Sequence, residues 1–240
     1  ISADEVAAAE KKLSLPVEFD IKEFAGLNTL RITAVGKSAH ASTPELGKNA
    51  VTALMALISE LGLADEASEL VSKLSKLFPY GETDGKSMGL KISDRLSGSL
   101  TCVLSVISYS SGQLEAKFDI RLPVSSSVEQ VLSKLKPAVQ GAGLTLSEYS
   151  GTQPHHVSAD SSIVKKLLEV YEEVSGKKGE CIAIGGGTYV HEIEGGVAFG
   201  PEIEGEDNHL HAADQFLRID HLLMCAKIMA LANSKNCTCN

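Results

Sequence analysis

The sequence has no tryptophan, and its aromatic share is only 5%. Its core must therefore be built from aliphatic side chains. Positive charge is also in deficit, with 22 Lys and Arg against 31 Asp and Glu and a net charge of −9. That balance gives no basic footprint for nucleic acid or an anionic membrane surface. No apolar run reaches the roughly 18 residues that a membrane-spanning helix requires. Neither nucleic acid nor membrane is an expected partner. Several catalytic signatures are missing as well. There is no G-x-S-x-G, no H-E-x-x-H, and no Gly-Lys-Ser/Thr after the glycine run. His191-Glu192 begins like the zinc-helix motif, but residue 195 is Gly. The first residue is Ile, and no charged segment leading into an apolar stretch follows it. The expectation is a piece of a longer protein.

The five cysteines are odd in number and irregular in spacing. Cys102 and Cys181 lie in apolar runs and read as reduced, buried thiols, which suits a cytoplasmic protein. Cys237 and Cys239, in a polar tail, read as a frayed terminus. At 240 residues and 43% hydrophobic, the chain can bury one large core or two small ones.

Residues Ala3 to Leu13 carry acidic residues early and lysines late, the order that favours a helix. Strands are expected at Leu15–Ile21, Leu27–Val35, Met88–Ile92, Leu100–Tyr109, Leu114–Leu122 and Leu144–Tyr149. The fifth alternates best, with Leu114, Ala116, Phe118, Ile120 and Leu122 on one face. Helices are expected from about Lys48 to Leu61, Glu66 to Leu77 and Val128 to Val139, with Val51, Leu54, Ile58 and Leu61 forming one apolar face of the first. This pattern reads as an α+β fold, an antiparallel sheet with helices on one face. The polar stretch Ser150–Asp160 is the expected boundary. Beyond it a helix is expected from about Ser161 to Ser175, strands at Cys181–Ile184 and Gly196–Gly200, and a helix from about Asp220 to Ala232. Strand and helix alternate there as in part of an α/β layer.

Few residues carry chemistry on pattern alone. His40 lies in a strand-to-helix loop, where an imidazole could donate to a developing oxyanion; taken alone it reads as a solvated loop histidine. Arg121 offers a guanidinium fork suited to a carboxylate, or a sheet-surface pair with Asp119 or Glu115. Gly185-Gly186-Gly187-Thr188 lets backbone amides approach a ligand, or simply turns. His209 and His211 are candidate metal ligands, although zinc needs about three protein groups. The acidic run Glu202, Glu204, Glu206, Asp207 reads as a solvated loop.

Five stretches together resemble a known family. They are Val35–Ala50 (VGKSAHASTPELGKNA), Phe118–Pro123 (FDIRLP), Thr152–Val157 (TQPHHV), Ile184–Thr188 (IGGGT) and Leu210–Gln215 (LHAADQ). Their order and spacing are similar to those of the aminoacylase/carboxypeptidase-type dinuclear zinc metallopeptidases, in the PepV-type, carnosinase-like dipeptidase branch. The resemblance implies a lid and substrate-binding domain at residues 1–154. It implies the C-terminal portion of a catalytic domain at residues 155–240, whose N-terminal half is absent. The implied activity is hydrolysis of dipeptides bearing a free C-terminal carboxylate. The implied cofactor is a pair of zinc ions, for which this chain supplies His211 alone, at most one partial site. By the same resemblance His40 polarises the scissile carbonyl and Arg121 holds the substrate carboxylate. Gly186, Gly187, Thr188 and Asn49 line the substrate site. The implied partners are a dipeptide, the absent half and a second copy in a homodimer. The family commonly has Asn-Glu where this chain has Asp214-Gln215, so the carboxylate that orients His211 is lost or moved to Asp214. The expectation for this chain alone is an inactive hydrolase fragment. The alternatives are a non-catalytic lid-like module for dimerisation or small-ligand binding, and an unrelated two-layer domain with accidental matches.

Overall fold

Ser2 opens the first element by accepting from the Glu5 N–H, while the Glu5 carboxylate takes the Ser2 N–H. This reciprocal cap satisfies two of the N–H groups that a helix start leaves unpaired. The structure is a computed structural model and describes residues 1–24, 26, 29–200 and 214–237. It divides into two compact units, one of Ile1–Pro154 with Ala183–Gly186, the other of His155–Ile182 with Gly187–Asn240.

In the first unit, α1 (Ala3–Leu13) precedes an antiparallel pair, β1 (Glu18–Phe24) and β2 (Thr29–Val35), in which Glu18 faces Val35 and Phe24 faces Thr29. Helices α2 (Ala50–Leu61) and α3 (Glu66–Leu77) follow, capped by Asn49 and Asp65. A short pair, β3 (Ser93–Asp94) and β4 (Gly98–Ser99), leads to the long hairpin of β5 (Thr101–Ser110) and β6 (Gln113–Arg121). Ser111 and Gly112 make its turn, both with positive φ (54° and 76°), the backbone that matches the twist of a two-residue hairpin. Helix α4 (Val128–Gly141) completes the set, capped by Ser127.

Antiparallel pairing is found, but as three separate two-stranded ladders among the described residues, not one sheet. Two cores result. One gathers Met55, Val71, Leu74, Leu77, Leu90, Leu100, Leu104, Val131 and Leu135, with the expected face of β6 packed on it. The other gathers Val6, Ala9, Val17, Phe19, Ala53 and Leu57. Helix α2 therefore serves both, with Val51, Met55 and Ile58 toward one cluster and Ala53, Leu54, Leu57 and Leu61 toward the other. The single apolar face read from the sequence is in fact two.

The strand expected at Met88–Ile92 is not formed. Gly85 and Gly89 have left-handed backbones flanking a 3-10 turn at Lys86–Met88. Leu90, fully buried, donates its N–H to the Gly85 carbonyl rather than to a ladder. The strand expected at Leu144–Tyr149 is likewise irregular. Leu144 and Leu146 still pack on the core, but the segment pairs with no strand among the described residues.

The second unit contains α5 (Ser162–Ser175), capped by Ser161 and ended by Gly176 at φ 68°, and α6 (Ile219–Cys237). Leu167, Val170, Ile228 and Ala232 form its buried cluster. The strands expected at Cys181–Ile184 and Gly196–Gly200 are absent, and this unit shows no ladder among the described residues. Ile182 and Ile184 are exposed, whereas Val197 and Phe199 pack on the α5–α6 cluster as irregular chain. A strand needs an adjacent strand to satisfy its N–H and C=O groups, and among the described residues none lies beside these segments. No described helix is long and apolar enough to cross a membrane.

Candidate functional site

The loop after β2 is closed by a backbone bridge. The Lys37 and Lys48 N–H groups donate to each other's carbonyls at 3.0 and 2.8 Å. Two glycines permit this closure. A Cβ on Gly36 would lie 2.2 Å from the Lys48 oxygen, and one on Gly47 would lie 2.8 Å from the Lys37 oxygen. Inside the loop, His40 Nδ1 lies 2.7 Å from Ser42 Oγ, and the Ser42 N–H donates to the same nitrogen at 3.2 Å. Thr43 N–H donates to the His40 carbonyl at 3.0 Å.

The β5–β6 hairpin brings Arg121 to this loop. Thr101 stands opposite Arg121 in the ladder, so the two share a face. Thr101 Oγ1 donates to the Ala41 carbonyl at 2.8 Å, beside His40. Register depends on a bulge between Leu104 and Val106. Counting from the turn without it would put Cys102 opposite Arg121 and turn the threonine inward. Arg121 makes a bidentate pair with Asp119, Nε to Oδ1 at 2.6 Å and Nη2 to Oδ2 at 3.0 Å, and Nη1 donates to the Gly185 carbonyl at 3.2 Å. Three of its five N–H donors are thus engaged, and its side chain is about one-third exposed, at 31%.

The glycine run approaches the same loop at one residue. A Cβ on Gly185 would meet Ser42 Cβ at 2.3 Å, whereas one on Gly186 or Gly187 would meet nothing within 4 Å. The sequence reading took in the whole run Gly185–Thr188 and carried Gly186, Gly187 and Thr188 forward as site residues; it gave no role to Ser42 or Thr101. A hairpin register counted from Ser111-Gly112 would have set Cys102, not Thr101, opposite Arg121, because the bulge has no clear sequence mark.

Asn49 has a structural load. Its Oδ1 accepts from the Val51 and Thr52 N–H groups, and its Nδ2 donates to the Leu104 carbonyl at 2.8 Å. In the second unit, Thr188 precedes a 3-10 turn at Tyr189–Glu192, and His191 Nδ1 lies 2.9 Å from its carbonyl. The rings of His155 and His191 lie 5.5 Å apart between centroids, tilted by 46°, with His155 Nε2 at 2.6 Å from the Gly196 carbonyl. Asp214 and Gln215 are exposed. His209, His211, Glu202, Glu204, Glu206 and Asp207 lie outside the described residues, as do Cys239 and the side chain of Cys237.

Among the described residues no three His, Cys, Asp or Glu side chains come together as a metal site. His211, the one zinc ligand that the resemblance implies for this chain, is not among the described residues.

The peptidase dimerisation domain of the M20 peptidases matches residues 23–144. The chain belongs to this family. That stretch contains the bridged loop, α2, α3, the β5–β6 hairpin and α4. Similar proteins include "Putative dipeptidase YtjP" of Bacillus subtilis, 36% identical over 198 residues, which covers 82% of this chain and 42% of the relative. Another is the Beta-Ala-Xaa dipeptidase of Lactobacillus delbrueckii subsp. lactis, 32% identical over 207 residues, covering 84% of this chain and 43% of the relative. The chain spans less than half the length of these relatives.

Proposed function

We propose that this M20 chain is the lid and C-terminal part of a metal-dependent dipeptidase acting on dipeptides with a free carboxylate. In this reading residues 1–154 form the lid, and residues 155–240 form the end of the catalytic domain. His40 donates a hydrogen bond to the scissile carbonyl as charge develops on its oxygen. Arg121 receives the substrate carboxylate. Gly186, Gly187, Thr188 and Asn49 line the site. His211 is this chain's one ligand to zinc, the proposed metal of the whole protein, and the protein is placed in the cytoplasm. The observation that carries the reading is the meeting of three motif segments, through Thr101 to Ala41, Arg121 to Gly185, and Gly185 against Ser42. The dipeptidase names of the relatives support the reaction class. The family's dimerisation role supports a homodimer built through residues 23–144.

The test has three arms. The purified 240-residue chain, incubated with zinc, is expected to leave β-alanyl and alanyl dipeptides intact; turnover would overturn the inactivity of this piece. The same chain, with isotope-labelled arginine, is titrated with a β-alanyl dipeptide and with its C-terminal amide. The free carboxylate is expected to move the Arg121 side-chain resonance and the amide to leave it in place. An equal response to both would refute the role given to Arg121. Sedimentation of a strict monomer at high concentration would refute the homodimer.

A further inference from the structure

A histidine can stabilise a carbonyl oxygen only through an N–H. A neutral imidazole carries its proton on one nitrogen, and the hydrogen bond made by the other nitrogen decides which. At His40, Nδ1 meets Ser42 twice, its N–H at 3.2 Å and its Oγ at 2.7 Å. The backbone N–H can only donate, but at 3.2 Å it is the longer contact; the hydroxyl at 2.7 Å is the closer partner, and its donation is what fixes Nδ1 as the acceptor. The hydroxyl can rotate and adds its own proton to the same lone-pair region. The ring proton is then on Nε2, the nitrogen further from the backbone.

We propose that Ser42 is a positioning residue that holds His40 as the Nε2–H tautomer, and that Gly185 ties this pair to Arg121. The assignment of His40 and Arg121 to the peptide rests on the proposed function; the coupling itself rests on geometry. Gly185 is the only one of the three consecutive glycines whose missing side chain is used, since a Cβ there would lie 2.3 Å from Ser42 Cβ. Its carbonyl accepts from Arg121 Nη1 at 3.2 Å. The carbonyl-polarising group and the carboxylate-binding group therefore share one support. A displacement of Gly185 moves Ser42 on one side and releases a guanidinium N–H on the other. Thr101, by holding the Ala41 carbonyl at 2.8 Å, keeps the loop from relaxing away.

The test reads protonation at each ring nitrogen of His40 by NMR of the 240-residue chain with isotope-labelled histidine, at about pH 8, above the usual histidine range. Wild-type protein is expected to show His40 with unprotonated Nδ1 and protonated Nε2. Ser42→Ala removes the hydroxyl donor and is expected to bring in the second tautomer, and Ser42→Thr to restore the first. Gly185→Ala is expected to shift the His40 signals and the Arg121 Nε signal together, with Gly186→Ala moving neither. A protonated Nδ1 in the wild type overturns the proposal, as does an unchanged His40 in Ser42→Ala. The coupling is overturned if Gly185→Ala and Gly186→Ala leave the His40 and Arg121 signals alike. The amide spectrum shows whether each variant is folded; should Gly185→Ala unfold, Gly185→Ser and the Ser42 pair decide. Turnover plays no part in this measurement. Failure here leaves the dipeptidase reading standing, and failure of that reading leaves the tautomer result intact.

Discussion

Asn49 stands where three backbone groups need partners, and it supplies all three. Its Oδ1 caps α2 and its Nδ2 holds the β5 carbonyl of Leu104. Loss of a helix cap costs about 1 kcal/mol, and loss of the bond to Leu104 about as much again. Asn49→Ala is therefore expected to lower the unfolding free energy by about 2 kcal/mol in urea titrations. Asn49→Asp keeps the cap and is expected to lose about half of that; an Ala variant as stable as wild type would contradict this account. Cys102 shows the opposite kind of residue, one removed from chemistry. Burial, followed by the negative charges of Glu82, Asp119 and Asp84, pushes its thiol up to about 12. Because the thiolate is the reactive form, a thiol reagent at pH 8 is expected to label exposed Cys181 in minutes and Cys102 only on unfolding. Peptide mapping of the labelled sites checks it, and early labelling of Cys102 in folded protein would count against a closed core.

At the scale of elements, the turn between β3 and β4 is bound to the approach to α4 through one carboxylate. Asp94 accepts from Ser97 N–H at 2.6 Å, Leu96 N–H at 2.9 Å and Ser125 N–H at 3.0 Å, while Ser97 Oγ accepts from Val124 N–H. Donation from the Ser97 backbone, with Ser125 adding to it, outweighs desolvation and holds Asp94 well below the usual carboxylate range. A carboxylate depressed in the folded state stabilises the fold above its unfolded value, about pH 4, and loses that effect as pH falls through its folded value. Asp94→Asn is expected to melt below wild type at pH 7, with the gap closing as pH is lowered from 4 toward 2. A gap that stays constant with pH would show that charge is not what the site uses. Helix α2 is the element on which both cores of the first unit depend. Leu57 is fully buried in the α1/β1 cluster, and Leu57→Ala is expected to cost about 3 kcal/mol, read from the denaturation midpoint at unchanged slope.

For the whole molecule the contrast lies between the two units. The first holds two clusters with many fully buried side chains, among them Leu57, Leu90 and Leu100. The second buries Leu167, Val170, Ile228 and Ala232 between two helices, while Ile219, Leu222 and Leu223 on α6 stay more than half exposed. Each large apolar side chain left in water forgoes about 1.5–3 kcal/mol, a large part of a domain's total stability. Amide hydrogens of α5 and α6 are therefore expected to exchange faster than those of α2 and β5 in the 240-residue chain. Uniformly slow exchange across both units would show that the second is held by more than its own core.

The sequence by itself determined the local features. Alternation along Leu114–Leu122 marked β6 and its core face, and acidic residues early with lysines late marked α1, because propensity, period and charge order act over a few residues. The motif stretches named the family, since order and spacing survive in the chain itself. Tertiary structure decided what depends on distant partners. It decided whether Met88–Ile92 or Cys181–Ile184 became strands, because a strand exists only beside another. It put α2 between two cores rather than on one. Above all it placed the site's supports. The bulge between Leu104 and Val106 set Thr101 opposite Arg121, and Gly185, not its two neighbours, came within reach of Ser42. A one-residue slip in register or in a glycine run leaves composition and pattern unchanged, yet it reverses which side chains meet.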